Sequence, residues 1–217
     1  MLNFNFLLEY FPFYIEGIKV TLLLSLLTVI FGTILGLIIC ILKLSKYKIL
    51  KSIATIYVEI IRGTPLIVQL IIIHYGFNLN ITELTSATIA LSINSAAYIS
   101  EIIRAGIISI NKGQMEAARS LGMNHFQSMK LIIIPQAIKN ILPALGNEFI
   151  VLIKESAIVS YIGLADIMYK ANQIRSITYL TLEPLLVAAI IYFIITFTIS
   201  KFIQYFERKL NKDNDSN

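Results

Sequence analysis

Gly113-Gln114-Met115-Glu116-Ala117-Ala118-Arg119-Ser120-Leu121-Gly122-Met123-Asn124-His125 is polar and helix-prone, yet the segments on either side are apolar enough to live in lipid. Gln114 to Leu121 are good helix formers, and Gly122 is placed to end that helix in a left-handed cap. Asn124 then opens a second helix, with Gln127 three residues on completing a capping box. The second helix is expected to run through Phe126, Met129, Leu131 and Ile133 and to stop before Pro135. Ala117 and Ala118 carry almost no side chain, so two short helices at an angle form a knob that another protein's cleft can receive closely.

Upstream of the knob, Ser86 to Ile103 reads as a span, and the least greasy one. Ser92, Ala96 and Ser100 recur every fourth residue, a small-residue ladder for close helix approach. Asn94, Tyr98 and Glu101 fall on another face, and Glu101 precedes Arg104 by one turn. A short acidic turn, Asn78 to Thr85, leads into this span. Before it, Ile53 to Tyr75 is a span with a break. Glu59 and Arg62 are one turn apart, where they can pair on one face. Gly63-Thr64-Pro65 then interrupts the helix, because Pro65 has no N–H to donate. In lipid such a break persists only where protein or a water-filled cavity satisfies the freed carbonyl. The first span is the uninterrupted apolar run Val20 to Leu42, with Gly32 and Gly36 in a G-x-x-x-G pair. Residues 1–14 are aromatic-rich and suit an amphipathic segment at the lipid interface; they lack the basic start of a cleaved signal peptide.

Downstream, Ile141 to Ile162 is the fourth span, with Pro143 in its first turn, where proline is tolerated. It carries Glu148, Lys154, Glu155 and Ser156, an expensive set to place in a bilayer. Tyr161 to Glu183 is a polar return, Leu185 to Phe206 the last span, and 207–217 a polar tail.

Composition places the chain in the same class. Of 217 residues, 57% are hydrophobic and 14% charged, with a mean hydropathy of +0.77; a soluble domain carries about a quarter charged residues. The net charge of +5 does not point to nucleic acid, because its distribution follows the spans. Lys43, Lys46, Lys48 and Lys51, then Arg104, Lys112, Arg119, Lys130 and Lys139, then Arg208, Lys209 and Lys212 alternate with basic-poor regions. By the positive-inside rule these three clusters are cytoplasmic, which puts the N-terminus outside and the C-terminus inside. The expectation is an all-α membrane protein of about five transmembrane helices in one domain.

Several chemistries are demoted. No G-x-x-x-x-G-K-[ST] occurs, so this chain has no P-loop for ATP phosphates. Cys40 is the single cysteine, and His74 and His125 fall in different compartments, so no metal site is expected. An intramembrane enzyme needs a nucleophile with its base or paired aspartates, and Asp166, Asp213 and Asp215 all lie outside the spans. A secondary transporter would show internal repeats and more spans. What remains is a short membrane chain with no ATP site of its own that offers a knob to another protein.

Glu116-Ala117-Ala118, Gly122, Ile132 and Pro135 resemble the EAA loop of ATP-binding-cassette importer permeases. Arg62-Gly63-Thr64-Pro65-Leu66-Ile67-Val68-Gln69, Asn94 to Glu101, and Lys154-Glu155-Ser156 resemble the branch that takes up polar amino acids. The resemblance covers roughly residues 15–206 as a type I importer permease domain. It implies that Glu116, Ala117, Ala118, Arg119 and Gly122 couple to a separate ABC ATPase, which holds ATP and Mg, while this chain binds no cofactor of its own. It also implies a second permease chain, identical or homologous, an external amino-acid-binding protein, and a site in a bacterial cytoplasmic membrane. A zwitterionic substrate needs donors for its carboxylate and acceptors for its ammonium. Asn94 and Ser156 are candidates for the first, Glu155 or Glu101 for the second, with Tyr98 and Lys154 beside them. The alternative is that Lys154 and the glutamates fix helix packing, with Glu101 satisfied by Arg104.

Overall fold

The computed structural model describes residues 3–76 and 81–215, with side chains up to residue 209. Residues 78–80 of the expected acidic turn and the last two residues of the tail lie outside the described residues. Among the described residues every regular element is helical. Helix α1 (Leu7–Lys43) has 37 residues, roughly 55 Å at the usual helical rise, against a hydrocarbon core of about 30 Å. The apolar run Val20–Leu42 is therefore the inner part of a longer helix, whose first turns carry the aromatic N-terminal residues and Pro12.

The buried face of α1 is Tyr14, Gly17, Thr21, Leu24, Ser25, Thr28, Gly32, Gly36 and Cys40, about one residue every turn and mostly small after Tyr14. Against it lies α4 (Glu83–Ile108). A Cβ on Gly32 would stand 3.2 Å from the Ser95 side chain, and one on Gly36 2.9 Å from Ile99 and 3.1 Å from the Ala96 carbonyl. Lipid tails give apolar side chains no hydrophobic reason to leave them, so close backbone approach of this kind is what holds helices together. The small-residue ladder thus meets α1 through Ala96, helped by Ser95 and Ile99.

Helix α2 (Lys48–Gly63) and the stretch that opens with α3 (Leu66–Ile71) are bent by 105° at the Gly63-Thr64-Pro65 break. The chain continues in wide π turns over Ile72–Gly76 before α4. After α4 come the knob helices α5 (Lys112–Ser120) and α6 (His125–Ser128), then π turns over Met129–Ile133. Helix α7 (Ile134–Glu155) passes into a 3-10 segment, Ser156–Ile162. Helix α8 (Ile167–Thr178) precedes α9 (Glu183–Asp215). The expected spans are α1, the bent α2–α3 pair, α4, α7 and α9. Helix α1 and the Glu183–Lys209 part of α9 are long and apolar enough to cross a membrane alone, and the bent pair passes the same test only when its two arms are taken together.

Two expectations about proline are corrected. The second knob helix is shorter than expected, and the proline does not end the helical path: α6 stops at Ser128, Met129–Ile133 form π turns, and α7 begins at Ile134, one residue before Pro135. A first-turn proline needs no N–H, and the Gln136 side-chain amide donates to the Ile132 carbonyl at 2.8 Å. Because α7 starts this early, Pro143 lies in its interior and not in its first turn.

The core is stacked in three layers along the bundle. Phe6 and Tyr14 of α1 pack with α8 and α9 at the end away from the knob. Leu24, Leu70, Leu91 and Val159 join α1, α3, α4 and the 3-10 segment in the middle. Cys40, Ile99, Ile103, Ala137 and Ile141 join α1, α4 and α7 at the knob end.

Candidate functional site

The knob forms as local chemistry dictates. The Asn111 side chain accepts from Gly113 N at 2.8 Å to open α5 at Lys112, two residues before the run of helix formers that begins at Gln114. Gly122 has φ +86°, and its N–H and that of Met123 return to the carbonyls of Arg119 and Ala118 at 3.0 and 3.2 Å. The capping box is present in both directions: Gln127 N donates to Asn124 Oδ1, and Asn124 N to Gln127 Oε1, both at 2.9 Å. These bonds occupy the backbone donors of Gly113, Gly122, Met123, Asn124 and Gln127.

Glu116, Ala117 and Arg119 lie on the outer surface of the knob, and neither Glu116 nor Arg119 makes an ion pair among the described residues. Ala118 differs from expectation. It is buried beneath α5, so its small side chain serves the packing of the knob itself and not its outer face. Two residues not anticipated from sequence stand out instead: Leu121 is 84% exposed and Phe126 72% exposed, on either side of the Gly122 turn. Their signal in the sequence was visible only as apolar residues in a polar stretch.

The break in the second span is built from side chains that replace missing backbone donors. Pro65 leaves the Ile61 carbonyl without its i+4 partner. Gln69 Nε2 donates to Ile61 O at 2.8 Å, to Thr64 Oγ1 at 2.8 Å and to Thr64 O at 3.2 Å. Asn94 Nδ2, from α4, donates to Gln69 Oε1 at 3.0 Å. Tyr57 OH donates to the Ile93 carbonyl at 2.6 Å, tying α2 to the same turn of α4. Asn94 is therefore buried support for the break.

The expected Glu59–Arg62 ion pair is not formed. The Arg62 guanidinium instead lies over the Tyr98 ring, 5.2 Å from its centroid, an interaction available because Tyr98 reaches across from α4. Gly63, Thr64 and Pro65 are exposed at the break, as is Arg62. Glu101 is likewise not grouped with Asn94. It lies near the knob end, in an ionic cluster with Lys43 and Arg104.

Lys154 and Glu155 are exposed at the end of α7 and line an open cleft of about 570 Å³. Leu66, immediately after the break, lines the same cleft together with Ser160, Tyr161, Met168 and Asn172. Two stretches distant in sequence thus meet at one cleft. Ser156 does not face it: it is buried, and its hydroxyl donates to the Ile153 carbonyl at 2.8 Å. Glu148, on the same helix, accepts from Ser95 Oγ of α4 at 3.2 Å.

Asp166 caps α8 and is fully buried, accepting from Tyr169 N at 2.8 Å and from Tyr192 OH at 3.2 Å. Burial pushes its carboxyl up to about 6 despite these bonds. Gly17 allows the start of α8 to sit directly on α1, since a Cβ there would be 2.8 Å from Ile167 Cα. Among the described residues no group of histidine, cysteine and carboxylate side chains is arranged to hold a metal.

The model of the binding-protein-dependent transport system inner membrane component family matches residues 28–212. The arginine transport system permease protein ArtQ of Bacillus subtilis (strain 168) is 44% identical over 218 residues, with 99% of each chain covered. A putative glutamine transport system permease protein GlnP of Rickettsia conorii is 42% identical, covering 95% of this chain and 98% of its own. The crystal structure of an amino acid ABC transporter with histidines contains a chain of 52% identity and TM-score 0.93, covering 96% of this chain and 99% of that one. An inward-facing MetNI methionine ABC transporter shares the fold at TM-score 0.80 and 20% identity, over 92% of this chain and 97% of that one. With a family model over most of its length and relatives matched end to end, this chain is a member of the binding-protein-dependent transport system inner membrane component family.

Proposed function

We propose that this chain is the membrane-spanning subunit of an ATP-driven importer for a polar amino acid. It works as a pair of permease chains, with ABC ATPase subunits that hold ATP and Mg and an external amino-acid-binding protein. The knob end of the bundle faces the cytoplasm of a bacterium, as the three basic clusters favour, and the N-terminus and α8 face outside. Closure of the ATPase dimer draws two knobs together and switches the access of the cleft.

The observation that carries this reading is the knob. Glu116, Ala117, Arg119, Leu121 and Phe126 are exposed on a unit whose turns are held by its own capping bonds. A surface so ordered and so uncovered fits a partner better than it fits water. The names of the relatives speak for arginine and glutamine, and a solved relative for histidines, so polar amino acids are the substrates supported best.

For the substrate, the cleft beside the break is the supported route. Lys154 offers a cation to a carboxylate and Glu155 an acceptor to an ammonium. Arg62 and Tyr98 stand at the break, with Asn94 and Ser156 behind as support. The test is expression with a matching P-loop ATPase, followed by co-purification and by uptake of arginine, glutamine and histidine into vesicles. Glu155→Gln and Lys154→Met should weaken or redirect uptake while leaving the ATPase bound. Parental uptake of every amino acid by both variants would remove these side chains from the route. A chain that takes up amino acids with no ATPase present would refute the importer reading.

A further inference from the structure

Three charged side chains meet at the knob end of the bundle, away from the cleft. Glu101 uses both carboxylate oxygens: Oε1 accepts from Lys43 Nζ at 2.5 Å, and Oε2 from Arg104 Nε at 3.0 Å and Nη2 at 2.7 Å. Lys43 is the last residue of α1, while Glu101 and Arg104 lie near the end of α4. The Lys43 and Glu101 side chains keep only 17% and 21% of their exposure. A charge cluster so shielded is costly to open, because a freed partner would be left uncompensated.

The cluster stands where a movement of the knob must enter the bundle. Helix α4 runs out through Ser109 to Asn111 into α5. Just before that exit α4 is seated on α7: Gly106 lies directly against the Ile141 side chain, and Asn140 Nδ2 donates to Ser109 Oγ at 2.9 Å. On its other side α4 meets α1 through Gly32, Gly36, Ser95, Ala96 and Ile99. Packing of small residues holds the two helices close through backbone approach. The Glu101 fork is directional and fixes their register. Four residues separate Lys43 from the start of α2 at Lys48, and α2 carries Arg62 and the break at its other end.

We propose that the Lys43–Glu101–Arg104 cluster is the joint that passes displacement of the knob from α4 to α1 and α2. Glu101 is its positioning residue; the inference rests on the importer reading above. When the knob is pulled, α4 moves with α5, and the fork obliges the end of α1 to follow. The origin of α2 moves with it, so the break and its cleft respond to the ATPase. Without the fork, α4 slips along α1 and the ATPase cycle no longer reaches α2.

The test compares Glu101→Gln, Lys43→Met and Lys43→Arg in the assembled transporter with its ATPase, reconstituted in vesicles. Retention of the ATPase, ATP hydrolysis and amino-acid uptake are measured together. Glu101→Gln and Lys43→Met should keep the ATPase bound and hydrolysing, while uptake per ATP falls about five-fold or more. Lys43→Arg preserves the cation and should stay at the parental ratio, which a mere loss of packing does not explain. A parental uptake-to-hydrolysis ratio in both Glu101→Gln and Lys43→Met overturns the joint. So does loss of the ATPase from those assemblies, which makes the cluster a structural brace. A parental assembly that hydrolyses ATP without amino-acid uptake overturns the importer reading instead, and is seen before any variant is made.

Discussion

Gln69 Nε2 lies 2.8 Å from the carbonyl oxygen of Ile61, standing in for the N–H that Pro65 lacks. The same amide group serves Thr64, and its oxygen is held by Asn94. Gln69→Leu leaves Ile61 O and Thr64 O without this donor and Asn94 without its acceptor. Each orphaned group costs about 1–3 kcal/mol, so the variant should melt in detergent well below the parent. Asn94→Ala leaves the Gln69 donors in place and should cost less. Equal melting of parent and Gln69→Leu would show that the break needs no such cap.

Gly122 has φ +86° and open space around it, so a substitution there acts through the backbone and not through crowding. A β-branched side chain in the left-handed region costs about 1–2 kcal/mol. Gly122→Val should insert in the membrane, distort the knob and lose the ATPase on co-purification. Leu121→Ser and Phe126→Ser should weaken the same association without disturbing insertion, because both side chains are exposed.

Gly36 and Gly63 should respond in opposite ways to the same change. A Cβ on Gly36 would press on Ile99 at 2.9 Å and on the Ala96 carbonyl at 3.1 Å, whereas one on Gly63 meets nothing within 4 Å. Gly36→Val should lower the amount of folded protein in membranes, since α1 and α4 must separate to accept it. Gly63→Ala should be neutral, or stabilising by up to about 1 kcal/mol through the unfolded chain. Membrane abundance and melting temperature check both.

Asp166 is held in the fold with its carboxyl raised to about 6 from an ordinary 3.8 by burial. The folded protein therefore keeps this proton over a pH range in which the unfolded chain has released it. The stability from this group is full below about 4 and is lost as pH rises through about 6, a change of at most about 3 kcal/mol. Asp166→Asn keeps an oxygen to accept from Tyr169 N and cannot ionise. Melting curves at pH 4.5 and 7.5 should show a smaller pH dependence for the variant than for the parent.

Orientation is checked by labelling. With Cys40 replaced, Ser120→Cys on the knob should be shielded from an impermeant thiol reagent in intact cells, and Ser176→Cys on α8 should react. Both positions are exposed, so the difference reports sidedness. Reversed labelling would invert the topology and remove the knob from the cytoplasm.

Local chemistry made much of this protein legible in its sequence. The left-handed turn at Gly122, the Asn124–Gln127 capping box and the break at Gly63–Pro65 each depend on a few neighbouring residues, whose backbone demands are the same in any context. The spans follow from the length of apolar runs, and the close α1–α4 packing from glycines and small residues at helical spacing. What tertiary structure decided were the partners of groups far apart in sequence. Arg62 and Glu59 are one turn apart, but Tyr98 on another helix is where the guanidinium goes. Asn94 and Ser156 are the residue types a substrate would need, yet each is buried and bonded within the bundle. Glu101 is one turn from Arg104, as the sequence indicates, but only the fold brings it Lys43 from the end of α1. A polar side chain in an apolar helix seeks whatever donor or charge the packing brings within about 3 Å, and that choice is made by helix crossings that no spacing along one chain encodes.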